Sequence, residues 1–299
     1  MKYSIRNIDE RYDFDLTGSS FIGTPRDGTL LFVTSKVKHL IPNLEGHRNC
    51  LVFVERGIEV DENVQKVNCV IFSDDPEAEY GRIAKQMKKS EEEELSRRKY
   101  TLTPEGYYLG ENTVIGEGSV IEPGVLIGHG VIIGAGAHIG YGSTIRNAEI
   151  GDHFSCMDHS SIGVDAFFPA KENGCTYLIP SFGKIYIGNH VSIGCNVVIE
   201  RGFNDNTRIC DNAAVDSNVC IGHDVVLHKN VTITCGVDIA GFVEVGEDTY
   251  IGMNAAVKQR LSVGANVTVG MGSAVITNVK ENTSVFGIPA RKFGLSGRR

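Results

Sequence analysis

An aliphatic residue returns at every sixth position through much of this chain. The longest run has twelve members spaced by six residues, from Ile209 to Val275, and shorter runs cover 115–145, 150–162 and 187–199. A period of six fits neither the 3.6-residue turn of an α-helix nor the 3.5-residue spacing of a coiled coil. The repeat predicts a mainly β fold, a parallel β-helix over residues 115–275, in which six-residue sides form triangular coils of 18 residues with the aliphatic side chains stacked inside.

Glycine accompanies this repeat. The chain contains 35 glycines and only eight prolines, and a glycine often follows the aliphatic residue directly, as Gly222 and Gly252 do. Average usage would give about 7% glycine, or roughly 20 residues in a chain of this length. We expect the glycines to serve tight turns whose backbone needs a positive φ.

Two segments interrupt the repeat within the predicted β-helix domain, which we place at 106–280. Residues 163–186 are too long for one side of a coil, and residues 200–208 add four residues to another side. We expect both segments to loop out and to shape a binding site, because loops carried by a rigid scaffold are common places for function. Residues 281–299 are too short for another domain and are predicted to form a C-terminal tail.

Residues 1–105 have a different pattern. Short apolar runs at 29–35, 49–55 and 67–73 are typical of buried strands, and 76–100 is typical of a helix with a charged, exposed side. These elements predict a small α/β domain at the N-terminus. It is a candidate for nucleotide binding.

Composition limits the partners and the compartment. The formal net charge of −8 argues against a nucleic-acid surface, and no stretch approaches the ~20 apolar residues of a membrane span. The N-terminal sequence lacks the apolar segment of a signal peptide. The eight cysteines are scattered without a CxxC pair, which favours buried thiols over disulfides or zinc ligands. A cytoplasmic location is the expectation.

His223 is the strongest candidate for chemistry. It lies two residues after the inward-facing Ile221, at or near a corner, and Gly241 follows it by 18 residues, one full coil. Parallel strands are spaced by about 4.8 Å, so we expect Gly241 to stack directly beneath His223. A neutral imidazole beside an unobstructed backbone N–H supplies a general base and an oxyanion donor, which suits acyl transfer. Asp216 and Asp224 are both near enough in sequence to orient the imidazole, and the sequence does not decide between them.

A zinc enzyme is an alternative, because γ-type carbonic anhydrases share this scaffold and bind zinc through three histidines. His190, His223 and His228 fall three, two and one positions after their inward residues, so their radial directions differ. The sequence therefore favours neither a metal site nor a resident cofactor. A β-helix that serves only as a scaffold is a further alternative, since the fold does not fix the function.

Around His223 and Gly241 the chain resembles the hexapeptide acyltransferase superfamily, and most closely the UDP-3-O-acylglucosamine N-acyltransferases of lipid A synthesis. GTLLFVTSKVKHL is similar to that family's uridine-binding domain, SSIGVDAFFPAKENGCTYLIPSFGKIYIG to its inserted loop, and NVVIERGFNDNTRI to its next excursion. DSNVCIGHDVVL and DIAGF are similar to the segments with the catalytic histidine and the backbone amide. The resemblance, which spans nearly the whole chain, implies left-handed coiling, a homotrimer, a general-base role for His223 and an oxyanion-binding role for Gly241.

Three features depart from that family. Arg260 stands at or beside a second histidine expected near KQRLSV, Lys38 stands where an aromatic residue is expected after Phe32, and the long C-terminal helix associated with acyl carrier protein binding is missing. The C-terminal segment VFGIPARKF instead resembles coenzyme A-dependent nucleotide-amino-sugar N-acetyltransferases, whose base is again a histidine followed by an acid. Both resemblances imply the same two residues, His223 and Gly241.

We therefore expect an N-acyltransferase that transfers an acyl group from acyl-coenzyme A to the amine of a nucleotide-linked amino sugar, in the biosynthesis of a surface polysaccharide or glycan. The first alternative is the lipid A enzyme itself, with an acyl carrier protein donor. The candidate contacts to the donor are Gly241, Ala256, Arg260, Arg291 and Lys292. The candidate contacts to the sugar nucleotide are Phe32, Lys38, Phe167, Phe168, Glu200 and Arg201.

Overall fold

The computed structural model describes residues 3–172 and 174–292, and the chain separates into two compact units. A small α/β unit contains the residues up to Arg97 together with 167–183 and 203–205. The second unit contains 98–166, 184–202 and the residues from Asn206 onward. The first boundary therefore lies eight residues before the predicted position 105, and parts of both interrupting segments group with the α/β unit.

The α/β unit is built on a parallel sheet. Its strands are Gly18–Ser19, Thr29–Val33, Leu51–Glu55 and Cys69–Ser73, side by side in that order. The helices are α1 (Glu62–Val67) and α2 (Pro76–Leu95), with 3-10 segments at Ile5–Asn7 and Lys38–Leu44. Short antiparallel pairs join Tyr3–Ser4 to Asp15–Leu16 and Pro169–Glu172 to Cys175–Leu178. The predicted strands and the long helix are confirmed, with shorter bounds.

Helix α2 packs on this sheet through one apolar stripe. Tyr80, Ile83, Ala84 and Met87 are buried and recur at spacings of three and four residues, which places them on one face of the helix. The acidic residues Glu77 and Glu79 lie in its first turn, where the helix dipole favours negative charge.

The second unit is a left-handed parallel β-helix, and the predicted fold class is confirmed. The chain passes in turn along three flat sides, here called side 1, side 2 and side 3. Side 1 contains Val120–Ile121, His138–Ile139, Ser155–Cys156, Ser192–Ile193, Ala214–Val215, Thr232–Ile233, Tyr250–Ile251, Thr268–Val269, Ser284–Phe286 and Arg291–Lys292. Side 2 contains Thr101–Leu102, Tyr108–Leu109, Leu126–Ile127, Thr144–Ile145, Ser161–Val164, Val198–Glu200, Cys220–Ile221, Asp238–Ile239, Ala256–Val257 and Ala274–Val275. Side 3 contains Val114–Ile115, Ile132–Ile133, Ala148–Ile150, Ile185–Ile187, Thr207–Ile209, Val226–Leu227, Glu244–Val245 and Ser262–Val263.

The repeating aliphatic residues form the core of this unit. From Ile127 to Val275 each of them is at most 4% exposed, and the weaker stretch through Cys156 is as well buried as the rest. Each stacks on its counterpart one coil away, as Ile221 does on Ile239 and Ile239 on Val257. The six-residue period of the sequence therefore arises from the stacking of these inward side chains along the axis of the β-helix.

The glycines of the repeat divide into two sets. At the corners, three residues after an inward position, glycines such as Gly118, Gly130 and Gly236 have the expected positive φ. The glycines that directly follow an inward residue do not, except for Gly163 (φ 87°) at the start of the first interruption. A Cβ added at Gly246 would lie 2.5 Å from Ala265 N, because the backbone of the next coil passes too close for any side chain. The left-handed backbone falls two residues later, where asparagine is frequent, as at Asn218 (φ 58°) and Asn230 (φ 58°).

The β-helix is longer at both ends than the predicted 115–275. Tyr108–Leu109 already pairs in parallel with Leu126–Ile127, and Thr101–Leu102 adds an antiparallel strand. At the other end, Ser284–Phe286 pairs with Thr268–Val269, and Arg291–Lys292 adds an antiparallel strand to it. Most of the predicted tail 281–299 thus continues side 1 as far as Lys292, and its last residues lie outside the described part of the chain.

Candidate active site

His223 and Gly241 meet on the edge where the chain turns from side 2 to side 3, called edge 2–3 below. The pairing of Ile221 with Ile239 sets their register, and Phe242 N–H donates to the His223 carbonyl at 2.9 Å. A Cβ added at Gly241 would lie 2.6 Å from His223 Nε2 and 2.7 Å from Cε1. The imidazole therefore covers Gly241 so closely that only glycine leaves it in place.

An acid orients the imidazole from its other nitrogen. His223 Nδ1 lies 2.7 Å from Asp224 Oδ2, and their side chains are only 11% and 3% exposed. Because a carboxylate accepts this hydrogen bond, Nδ1 carries the proton and Nε2 is the basic nitrogen. Nε2 is the atom that faces Gly241.

Asp216 does not take part in this pair. It lies on the edge between side 1 and side 2, immediately after the strand Ala214–Val215, and its Oδ1 accepts the backbone N–H of Ser217 at 2.7 Å. A side chain on a different edge of the triangle cannot reach the His223 ring. Between the two acids left open by the sequence, the geometry selects Asp224.

The backbone amide of Gly241 lies beside this pair. In the described ranges 3–172 and 174–292 its N–H donates no hydrogen bond, whereas the neighbouring Ala240 and Phe242 N–H groups donate to Val257 O and His223 O. A backbone N–H next to a basic imidazole nitrogen can stabilise a negatively charged oxygen that forms there.

Phe242 and Arg260 continue this edge. The rings of Phe242 and His223 meet edge to face, 4.8 Å between centroids at 87°, and the Arg260 guanidinium lies 4.1 Å from the centre of the Phe242 ring. Phe242 and Arg260 have left-handed backbone, with φ of 61° and 62°. The candidate Arg260 is therefore adjacent to the site: it packs on Phe242, which packs on His223. Phe242 was not predicted as a site residue.

Glu200 and Arg201 lie one coil before His223 and differ in their surroundings. Glu200 Oε2 accepts the backbone N–H of His223 at 3.1 Å, so this carboxylate belongs to the site. Arg201 is 4% exposed, and its Nε lies 3.6 Å from Asp165 Oδ1. Glu200 therefore contacts the His223 backbone, whereas the next residue, Arg201, is buried and pairs with Asp165.

The remaining residues predicted to contact the acyl donor lie elsewhere on the β-helix. Ala256 is exposed on the outer face of side 2. Arg291 and Lys292 are exposed in the last strand of side 1, four strand spacings beyond Thr232–Ile233, or about 19 Å along the axis. The geometry does not bring these residues together with His223 within one chain.

The aromatic candidates of the α/β unit are divided between a packed cluster and the surface. Phe32 contacts Tyr80 at 5.0 Å between ring centroids, and Phe168 stacks on Phe203 at 3.9 Å and 3°. Tyr80 and Phe203 also contact each other, 6.0 Å apart, so the four rings form one cluster. Phe167 is 67% exposed, and Lys38 is exposed at the start of its 3-10 segment.

A cavity of about 700 Å³ was not predicted from the sequence. It lies in the α/β unit at the carboxyl ends of Leu51–Glu55 and Cys69–Ser73, where ligands commonly bind in parallel α/β sheets. Its lining includes Arg56, Arg82 and Phe72. Arg56 Nε is 2.8 Å from Asp74 Oδ1, and Arg82 pairs with Glu79.

The histidines considered for zinc are on different edges. His190 and His228 lie on the edge between side 3 and side 1, away from His223. The His190 ring stacks on His153 at 4.8 Å, and His228 Nε2 is 2.8 Å from Glu244 Oε1. Within the described residues, no three histidine, cysteine, aspartate or glutamate side chains are grouped as ligands for a metal ion.

None of the helices in the described residues is both long and apolar enough to span a membrane.

Two family descriptions match parts of the β-helix. Residues 112–147 match "Bacterial transferase hexapeptide (six repeats)", and residues 243–277 match "Hexapeptide repeat of succinyl-transferase". Among curated proteins, a probable UDP-3-O-acylglucosamine N-acyltransferase 2 of Arabidopsis thaliana, described as mitochondrial, is 36% identical over 150 residues, 49% of each chain. UDP-3-O-acylglucosamine N-acyltransferase 2 of Legionella pneumophila is 40% identical over 102 residues, 34% of this chain and 30% of that one. The chain thus spans about half or less of the length of these relatives.

Solved structures support the fold. A UDP-N-acetylglucosamine acyltransferase from Campylobacter jejuni has a TM-score of 0.55 at 24% identity, covering 64% of this chain and 74% of that one. The corresponding enzyme from Bacteroides fragilis has a TM-score of 0.58 at 22% identity, covering 65% and 74%. At such low identity these structures bear on the fold alone. Together with the family matches and the relatives, they confirm the resemblance to hexapeptide-repeat acyltransferases that the sequence predicted.

Proposed function

We propose that this protein is an N-acyltransferase that transfers an acyl group from a thioester donor to the amine of a UDP-linked amino sugar. The observation that carries the proposal is the buried His223–Asp224 pair on edge 2–3, in which His223 Nε2 packs against Gly241. A base that is oriented by an acid and placed beside a backbone N–H has the parts needed for acyl transfer.

In this mechanism the sugar amine attacks the carbonyl carbon of the thioester. His223 Nε2 takes the proton that the amine loses, and Asp224 stabilises the imidazolium through Nδ1–H. The Gly241 N–H donates to the oxygen that becomes negatively charged in the tetrahedral intermediate. The intermediate collapses with cleavage of the carbon–sulfur bond, and the imidazolium returns its proton to the departing thiolate. The products are an amide and a free thiol.

The names of the relatives support the choice of acceptor. Both relatives described above are named as UDP-3-O-acylglucosamine N-acyltransferases, which favours the lipid A alternative over other surface glycans. We therefore propose a UDP-linked 2-amino sugar that already carries a 3-O-acyl group as the first acceptor to test.

The donor is a separate part of the proposal. The C-terminal segment VFGIPARKF supports acyl-coenzyme A through its resemblance to coenzyme A-dependent sugar N-acetyltransferases, and the acceptor named for the relatives supports the acyl carrier protein of the lipid A alternative. We keep acyl-coenzyme A as the expected donor, with Arg260, Arg291 and Lys292 as its candidate cationic contacts and Ala256 as a small residue that leaves room on side 2.

The α/β unit is proposed to bind the nucleotide. Its cavity combines arginines, which suit phosphates, with the partly exposed Phe72 ring, on which a base can stack. The exposed Phe167 and Lys38 are alternative contacts. Thermal unfolding with UDP and with UDP-sugars measures this directly, because a ligand that binds the native state raises Tm.

The same proposal includes a homotrimer that acts in the cytoplasm. The trimer is implied by the resemblance, and the scattered cysteines of the sequence suit a reducing compartment. Sedimentation equilibrium on the full chain gives its mass in solution, and a monomer would contradict the trimer.

The deciding experiment measures acyl transfer by the wild-type protein and by His223→Ala, with the UDP-linked acceptor and with each donor class in turn. Loss of a general base should lower kcat by about 10²–10⁴-fold. His228→Ala is the matched control, because His228 also contacts a carboxylate at 2.8 Å but on another edge. An unchanged kcat in His223→Ala would contradict the base assignment, and absence of transfer by the wild type from either donor would refute the function.

A further inference from the structure

The two residues that flank the second interruption of the repeat both contact the backbone of the catalytic pair. Glu200 ends its side 2 strand just before the interruption, and its Oε2 accepts the His223 N–H at 3.1 Å. Thr207 begins the side 3 strand just after the interruption, and its Oγ1 accepts the Asp224 N–H at 2.9 Å. The same hydroxyl donates to the Glu200 carbonyl at 2.8 Å.

The contact at Asp224 replaces a regular feature of the β-helix. At corner after corner, the residue with left-handed backbone donates its N–H to a backbone carbonyl of the preceding coil. Asn218 N–H donates to Cys195 O at 2.9 Å, and Phe242 N–H donates to His223 O at 2.9 Å. Asp224 has the same left-handed backbone, with φ of 55°, but the inserted residues precede it and its N–H donates to the Thr207 hydroxyl instead.

The Thr207 hydroxyl is well placed to hold this position. Thr207 is fully buried, and its hydroxyl both donates and accepts, so its orientation is set at both ends. The Asp224 side chain is 3% exposed and in turn accepts from His223 Nδ1. A shift in the Asp224 backbone would therefore move the carboxylate that orients the imidazole.

We propose that Thr207 is a positioning residue for acyl transfer: its hydroxyl takes the place of the missing backbone carbonyl and fixes Asp224, while Glu200 fixes the neighbouring His223 backbone. This inference rests on the proposed function. It gives the interruption predicted at 200–208, which the structure places between Glu200 and Thr207, a purpose in the chemistry, since the two flanking residues hold the two members of the proposed catalytic pair.

The test compares Thr207→Val, which keeps the shape and removes the hydroxyl, with Thr207→Ser, which keeps the hydroxyl. Thr249→Val is the matched control. Thr249 is 1% exposed, and its hydroxyl donates to Gly264 O at 2.8 Å and accepts Val267 N–H at 3.1 Å, on the edge between side 3 and side 1. If Thr207→Val does not fold, Thr207→Ala gives the same contrast with Thr207→Ser.

We expect Thr207→Val to lower kcat by about 10- to 100-fold, as for a displaced catalytic group, with the KM of the acceptor changed by less than about threefold. Thr207→Ser should restore most of the lost kcat. Thr249→Val should lower Tm to a similar extent and leave kcat near that of the wild type. A kcat in Thr207→Val equal to that in Thr249→Val would overturn the positioning role.

A second readout does not depend on activity. In protein labelled with ¹⁵N-histidine, the Nδ1 proton of His223 gives a downfield NMR signal, assigned by its absence from His223→Ala. We expect Thr207→Val to shift or broaden this signal and Thr249→Val to leave it unchanged. An unaltered signal in Thr207→Val would refute the positioning of Asp224 even if no acyl transfer were found for the wild type.

Discussion

Replacing Gly241 by alanine is the sharpest test of the proposed site, because the added methyl group is directed at His223 Nε2, the proposed general base. The new Cβ would lie 2.6 Å from His223 Nε2, 2.7 Å from Cε1 and 3.0 Å from Cδ2. Ordinary contacts begin at 3.4 Å, so the imidazole would have to retreat by about 0.8 Å. Its hydrogen bond to Asp224 and its edge contact with Phe242 oppose such a movement.

The expected loss follows from that displacement. A misplacement of about 1 Å between reacting groups can cost on the order of 10²-fold in rate, and complete loss of a general base costs about 10²–10⁴-fold. We therefore expect Gly241→Ala to lower kcat by about 10²-fold. The backbone N–H is still present in the variant, so the loss reports the histidine position. The assay is steady-state acyl transfer with both substrates varied, and a crystal structure of the variant measures the shift of Nε2.

Gly18→Ala is the matched control, since a Cβ at Gly18 would meet nothing within 4 Å. It should leave kcat and KM unchanged. Should Gly241→Ala transfer acyl groups within about threefold of the wild-type kcat, the imidazole would not be acting from the place it occupies over Gly241. That result would refute the geometric argument, whatever the effect of His223→Ala.

Three further outcomes are expected. Asp224→Asn should lower kcat by about 10²-fold or more because it disturbs the imidazole tautomer, whereas Asp216→Asn should have no effect because Asp216 lies on another edge; equal losses in the two variants would contradict this assignment. Ile239→Ala should lower the free energy of unfolding by about 2–5 kcal/mol in urea titrations, because Ile239 is 2% exposed and stacks between two inward residues. Burial raises the pKa of the Cys156 thiol to about 11, so at pH 8 the thiolate is scarce; iodoacetamide should modify the exposed Cys175 in the native protein and Cys156 only after unfolding, as mass spectrometry of the digested protein would show.

The sequence predicted the β-helix well because one physical cause, the stacking of inward side chains, repeats at every sixth residue. The same period placed Gly241 beneath His223, because three sides of six residues make one coil of 18 residues, whatever side chains lie between the two positions. It could also have excluded Asp216, which follows its inward residue Val215 directly and so belongs to the preceding corner. Nearness in sequence was a weaker guide than position in the coil.

Other features could not be predicted, because the six-residue period does not apply where the repeat is interrupted. Thr207 contacts Asp224 from a strand that follows an irregular segment, so the period does not relate the positions of these two residues. The packing of Phe168 on Phe203 also joins two irregular segments. The glycines were only partly predicted, for a different reason. Those at the corners have the expected positive φ, as the corner asparagines do, whereas those directly after an inward residue are needed because the next coil passes close to them, which is a property of the backbone.

The place of the interruptions explains how a regular β-helix can carry the proposed site. The chain leaves the repeat after Val164 and returns at Ile185, and it leaves again after Glu200 and returns at Thr207, in both cases on edge 2–3. Residues inserted at an edge leave the stacked sides intact, as the pairing of Val198–Glu200 with Cys220–Ile221 shows. In the proposed mechanism, consecutive coils on that edge supply different groups: the ends of the second interruption hold the backbone of the pair, the next coil presents His223 with Asp224, and the coil after that presents the Gly241 amide. Each part is fixed by the coil before it, so the order of the coils along the axis determines the order of the groups along the site.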